Sequence, residues 1–134
     1  MTGMAEPTKE TEAVLKSVQD FMDGIENRDK EAMLRLVLPD GGATLLRDGQ
    51  PLHMSMRGVV ERIPFDPEKL LVESIHDPLI LIDGDIAMAW TPYEFHIDGQ
   101  LHHVGTNIIS LLRRDGQWLI SGVADNWRRP DEQQ

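Results

Sequence analysis

Glu94 and His103 are the residues of this chain best placed to move a proton. They flank the dipeptide Asp98-Gly99, which favours a two-residue hairpin turn because both residues tolerate positive φ. Such a turn pairs Ile97 with Gln100 and sets Glu94 directly opposite His103. A carboxylate beside an imidazole raises the imidazole pKa, and the dyad can then take or deliver a proton next to a carbonyl. The same two residues also read as a hydrogen-bonded polar pair with a structural role only. The register continues to Trp90 opposite Asn107. There the Asn107 amide could donate to a ligand oxygen with Trp90 as a wall. The alternative places Asn107 on loop backbone and Trp90 in the core.

Two further sets come from the same strands. Glu94, His96 and His103 make up a two-histidine, one-carboxylate group of the kind that binds iron, although solvated strand-end histidines are the ordinary reading and no metal is assigned. His102 is left out, because adjacent strand residues point to opposite faces. His53, on a preceding strand, and Asn126, near the end of the last one, are candidate ligand contacts; for His53 a surface position is the alternative.

A second turn at Asp115-Gly116 pairs Leu111 with Ile120, Ile109 with Gly122 and Gly105 with Asn126. Opposed residues share a face. One face then carries Trp90, Glu94, His103, Gly105, Asn107, Ile109, Trp118, Ile120, Gly122, Ala124 and Asn126. It is apolar at one end and elsewhere mixes polar groups with small residues, which is how a ligand cavity reads. The other face carries Tyr93, Phe95, Val104, Ile108, Val123 and Trp127, an apolar patch suited to a homodimer interface. Pro92 lies inside this strand pattern and calls for an edge position or a bulge.

The elements that hold these residues follow from periodicity. Val14, Leu15, Val18, Phe21, Met22 and Ile25 form one apolar stripe of a helix that begins at about Thr8, with Glu10 and Glu12 in its first turn. A second helix is expected after Asp29, ended by Pro39-Asp40-Gly41-Gly42. Ala43 to Arg47 and Leu52 to Met56 read as short strands around Asp48-Gly49, and Ser55 to Arg62 as a short helix. Four β-rich segments follow, Leu70 to Ile82, Asp85 to Ile97, Gln100 to Arg114 and Gln117 to Trp127, separated by Asp-Gly pairs. Helices first and a meander after is an α+β pattern.

Composition narrows the function. With 23 acidic against 13 basic residues the formal charge is -10. That field repels phosphate backbones and anionic lipid, so neither nucleic acid nor a membrane surface is expected as partner, and a neutral or cationic ligand fits better. The absence of cysteine excludes disulfides, thiolate metal sites and cysteine nucleophiles, and is compatible with a cytoplasmic location. Residues 1–12 lack the apolar core of a signal peptide, and no apolar run is long enough to span a bilayer. Phosphate loops, zinc spacings and nucleophile elbows are missing from the sequence.

Trp90, Tyr93, Phe95, Asp98-Gly99, His103, Gly105, Asn107, Asp115-Gly116, Trp118 and Ile120 follow a W-x-x-Y-x-F, D-G, H-x-G-x-[DN], D-G-x-W-x-I pattern. Over roughly residues 10–128 the chain resembles nuclear transport factor 2-like proteins, nearest to the SnoaL-like or "putative lumazine-binding" group. The resemblance implies a cone-shaped α+β roll, a strongly bent antiparallel sheet packed against N-terminal helices around a pocket, with frequent homodimerisation. The domain is expected over 8–128, between a flexible leader at 1–7 and a flexible tail at 129–134. Superfamily members include isomerases, dehydratases, polyketide cyclases and non-catalytic binding proteins. Asn107 stands where the nearer group commonly has Asp, which removes a possible base there. The expectation is a pocket for a small, mostly apolar carbonyl or hydroxyl compound. It serves either cofactor-independent acid–base chemistry by Glu94 and His103 or ligand binding alone.

Overall fold

The first helix, α1 (Lys9–Glu26), starts where Thr8 accepts a hydrogen bond from the Thr11 amide through its hydroxyl, 3.0 Å, supplying one of the acceptors the helix end needs. Val14, Val18, Phe21, Met22 and Ile25 are its buried stripe. Asp29 caps the five-residue α2 (Lys30–Leu34). Gly24 is where the two helices meet, and the Met33 side chain occupies the space a Cβ there would need. The computed structural model describes residues 8–132, so the expected leader at 1–7 lies outside the described residues. Pro130–Glu132 form a 3-10 turn.

Seven strands follow: β1 (Val37–Arg47), β2 (Gln50–Ser55), β3 (Leu71–Ile75), β4 (Leu79–Asp83), β5 (Ile86–Ile97), β6 (Gln100–Arg114) and β7 (Gln117–Asp125). A six-residue helix, α3 (Met56–Glu61), sits between β2 and β3. The sheet runs β2-β1-β7-β6-β5-β3, with β4 beside β3 on the outer side of β5. It is a curved, open sheet with the helices against one face, the α+β arrangement expected. The core lies between them, from Val14, Val18 and Met33 to Ala89, Ile109, Leu111, Trp118 and Ile120.

The turns behave as their residues require. Asp48-Gly49, Asp98-Gly99 and Asp115-Gly116 all have both φ values positive, the primed turn that matches strand twist. At the β4–β5 hairpin Asp83 pairs with Ile86, so the two turn residues are Gly84-Asp85 rather than Asp83-Gly84.

Three expectations about the path of the chain are corrected. Pro39 to Gly42 do not end a helix. They lie within β1, whose register against β7 jumps between Val37 and Gly42. Gly41 is needed there because a Cβ would collide with the Ser121 carbonyl. The segment Leu70 to Ile82 is two strands, interrupted at Asp77 (φ 45°) and Pro78. Pro92 carries no bulge. The His76 amide donates to the Pro92 carbonyl at 2.8 Å, between the last β3 pair and the first β4 pair. The missing proline N–H therefore faces the gap between two partner strands and no ladder bond is lost.

The bulges are elsewhere, and they decide the faces. β5 and β6 leave the turn in the expected register, His96 opposite Leu101, and then slip by one, so that Phe95 faces His103 and Glu94 faces Val104. The extra residue is His102. β6 and β7 likewise run from Leu111 opposite Ile120 to Ser110 opposite Gly122, with Ser121 the extra residue. Each slip turns everything beyond it onto the other face. Trp90 pairs with Ile108 rather than Asn107, and Asn107 pairs with Asp125.

Candidate functional site

Between the sheet and the helices is a cavity of about 530 Å³, within the range of small-molecule sites. Its wall is largely apolar, drawn from α1 (Phe21, Met22, Ile25), α3 (Met56, Val59) and the strands (Leu71, Ile109, Ile120). α3 contributes because Met56 and Val59 are three residues apart on one helical face.

Of the residues singled out from the sequence, His103 and Asn107 line this cavity. Glu94, Trp90, Asn126 and His53 do not. The slip at His102 turns Glu94 to the opposite face, where its Oε1 lies 3.5 Å from His76 Nε2 and 3.9 Å from His96 Nε2. It also turns out Trp90, which is 43% exposed. The slip at Ser121 sends Asn126 outward. There its Oδ1 accepts from the Thr106 amide at 2.7 Å. His53 is exposed and bonds Thr44 Oγ1 through Nδ1 at 3.0 Å. Among the described residues no group of three or more His, Cys, Asp or Glu is placed to hold a metal ion; His103 is on the other face from Glu94 and His96.

In their place the cavity gathers Glu73, Tyr93, Asp125, Arg47 and His102. Glu73, Phe95 and His103 form one cross-strand row on β3, β5 and β6. Asn107 donates from Nδ2 to Glu73 Oε2 at 2.8 Å. Burial pushes the Glu73 carboxyl up to about 7; the Asn107 hydrogen bond pulls it down, the Asp125 charge adds to the rise and Arg47 opposes it.

A second polar group lies beside the first. Tyr93 donates its hydroxyl to Asp125 Oδ1 at 2.8 Å, and Arg47 donates to Asp125 Oδ2 at 3.1 Å while its guanidinium lies over the Trp127 ring. Tyr93 reaches Asp125 by lying across Gly105, where a Cβ would come within 2.8 Å of the phenolic oxygen. Burial raises Asp125 above the usual carboxylate value even though the Tyr93 and Arg47 bonds lower it. Burial, Asp125 and Glu73 push the Tyr93 hydroxyl upward, so it stays protonated.

The bulge also breaks the alternation that would have parted the two histidines. His102 and His103 both line the cavity, and their Nδ1 atoms are 3.0 Å apart. His103 stacks on Phe95 with ring centroids 4.6 Å apart, and Trp127 packs beside it. Burial lowers its pKa to about 3, with His102 and Arg47 adding to the effect. It is a neutral imidazole at physiological pH.

The family model described as "Putative lumazine-binding" matches residues 9–126. The chain belongs to that family. This putative lumazine-binding domain has no match among curated proteins. Among solved structures it is similar to an NTF2-like protein of unknown function from Shewanella baltica. The TM-score is 0.71 at 18% identity, over 92% of this chain and 98% of that one. It is also similar to an NTF2-like protein from Cytophaga hutchinsonii, with a TM-score of 0.74 at 15% identity over 89% and 98% of the two chains. These likenesses show an NTF2-like fold and leave the chemistry to be read from the cavity of this lumazine-binding-type domain itself.

Proposed function

We propose that the cavity binds a small, mostly apolar organic compound bearing a carbonyl or hydroxyl and that Glu73 moves a proton on it. The observation that carries this is the Glu73 carboxyl, set in an apolar wall, oriented by Asn107 and titrating at about 7. A group with that pKa holds and releases a proton at neutral pH, as a general acid or base must. The chemistry this supports is cofactor-independent isomerisation, cyclisation or dehydration, with Glu73 in the role first given to Glu94. His103 serves as a neutral polar wall beside it.

A non-catalytic ligand-binding role is the second reading. What favours it is that the other polar groups satisfy one another: Tyr93 and Arg47 on Asp125, and His102 with His103. One experiment separates the two. A panel of apolar ketones and alcohols is titrated by calorimetry, and each binder is incubated with the protein in D2O and weighed by mass spectrometry. Deuterium uptake or conversion that Glu73→Gln lowers by about 10²-fold or more, with binding kept, supports proton transfer. Binding with no uptake and no conversion leaves the binding module.

Self-association belongs to the same reading. Tyr93, Phe95, Val123 and Trp127, assigned from sequence to the outer patch, line the cavity instead. The outer face carries a different apolar row, Leu79, Trp90 and Ile108, paired across β4, β5 and β6. Ile108 at 44% and Trp90 at 43% exposure are costly in water. A homodimer through this face is proposed, to be tested by sedimentation. A cytoplasmic location is kept as a proposal; no helix among the described residues is long and apolar enough to cross a membrane.

A further inference from the structure

The overall charge of -10 disfavours an anionic ligand, yet the cavity does not share the balance of the whole. Four carboxylate or guanidinium side chains line it: Arg47, Arg62, Glu73 and Asp125. Arg47 and Asp125 are 3.1 Å apart and offset each other. Burial pushes the Glu73 carboxyl up to about 7, toward its neutral form. Arg62 is the remainder. It caps the C-terminal end of α3, is exposed and lines the cavity, so it stands at the opening. Among the described residues its guanidinium has no ion pair, hydrogen bond or aromatic partner. The apolar Val59, Ile63 and Leu71 line the same cavity.

We propose that the cavity takes an apolar monocarboxylate, its carboxylate held at the opening by Arg62 and its hydrocarbon part laid against the apolar wall. A guanidinium presents a planar fork of donors that matches a carboxylate two bonds at a time. A cation without an ion-pair partner at the mouth of a low-dielectric cleft attracts one negative charge there, whatever the distant surface carries. The class thus combines the two features of the cavity, an apolar body and one anionic end. This rests on the reading of the cavity as a ligand site and adds the anionic group to it.

The test uses three probes of equal length, decanoate, decanol and decylammonium, titrated into the full chain by calorimetry at about pH 7 and moderate salt. Decanoate is expected to bind about tenfold more tightly than decanol. Arg62→Gln is expected to remove that preference, weakening decanoate about tenfold and leaving decanol unchanged. Arg57→Gln, on the same helix but outside the cavity lining, is expected to change neither. Equal binding of decanoate and decanol would overturn the proposal and leave the cavity a ligand site. So would a preference for decylammonium, or an equal loss of both probes in Arg62→Gln. Failure of all three probes to bind would overturn this proposal and count against the ligand-site reading as well.

Discussion

Asn107 holds Glu73 across two intervening strand boundaries: its amide on β6 reaches past β5 to a carboxyl oxygen on β3 at 2.8 Å. That bond stabilises the charged carboxylate, while burial opposes it, and burial wins. The sign of the stability effect follows. The folded pKa of about 7 lies above the ordinary 4.5, so protonated Glu73 is the form the fold favours. Its contribution is fully present below 4.5 and is lost as pH rises through 7. Glu73→Gln keeps the shape and removes the titration. Urea unfolding is expected to show the variant gaining stability relative to the parent at about pH 9 and showing little difference at about pH 4. A constant difference across that range would mean that Glu73 is well solvated when ionised.

His103 titrates in the other direction. Its pKa is depressed from 6.5 to about 3 by burial and by the neighbouring His102 and Arg47. The stability associated with the neutral ring is present above 6.5 and falls progressively as pH drops toward 3, because the unfolded chain takes up the proton first. His103→Phe should therefore flatten the acid side of the stability profile over that interval. The Phe95 and Trp127 ring contacts are able to accept the phenyl ring. Thermal unfolding at several pH values checks this, and an unchanged acid slope would refute it.

Much of the fold was legible in the sequence because its signals are local. The α1 stripe, the helix starts near Thr8 and Asp29 and the Asp48-Gly49, Asp98-Gly99 and Asp115-Gly116 turns each depend on a few neighbouring residues, and each is found where expected; the Asp83-Gly84 turn is displaced by one residue. His103, Asn107, Ile109 and Ile120 were also assigned to the correct face. Glu94, Trp90 and Asn126 were not, because a bulge changes register without a side-chain signature. Nothing in Leu101-His102-His103 marks the extra residue. The signal that was available lies on β5 itself, where Ala87, Ala89, Tyr93 and Phe95 alternate with Glu94 and His96. An unbulged register would have turned the first set to solvent and buried the charged one. Glu73 and Arg47 had no such signal, since only the long-range pairings of β3 with β5 and β1 with β7 bring them to the cavity.

Gly105 tests the packing of the site. The Tyr93 ring lies where its Cβ would be, with the phenolic oxygen 2.8 Å away, and the ring is fixed by Asp125. Gly105→Ala is expected to displace Tyr93 and cost about 1–3 kcal/mol. A cost near zero in chemical denaturation would show that the ring can move aside freely. Gly42→Ala is the control, since a Cβ there meets nothing within 4 Å.

The outer face tests the proposed dimer. Leu79, Trp90 and Ile108 lie in one cross-strand row, so one charge at its centre desolvates poorly against a second copy. Trp90→Lys is expected to shift a sedimenting dimer to a monomer near the chain mass of 15.2 kDa while leaving ligand binding unchanged, because Trp90 faces away from the cavity. A parent that sediments only as a monomer at high concentration would remove the proposal.

Tyr93 and Asp125 offer the most discriminating measurement of the polar cluster. The Tyr93 hydroxyl donates to Asp125 Oδ1 at 2.8 Å while Arg47 holds the other oxygen. Both bonds lower the Asp125 pKa against the rise caused by burial. Tyr93→Phe removes one of them and leaves the ring packing in place. The carboxylate then lacks one donor, at a cost of about 1–3 kcal/mol at neutral pH. Its pKa must also rise further above 3.8, the ordinary value. A group raised in the folded state contributes stability that is present below its unfolded pKa and lost as pH climbs through the folded one. The cost of Tyr93→Phe is therefore expected to be largest near pH ~7 and to shrink as pH falls toward 4, where Asp125 in the variant takes up a proton. Urea unfolding of parent and variant at both pH values gives the difference directly. A cost that does not change with pH would assign the Tyr93 contribution to packing over Gly105 rather than to its bond with the carboxylate.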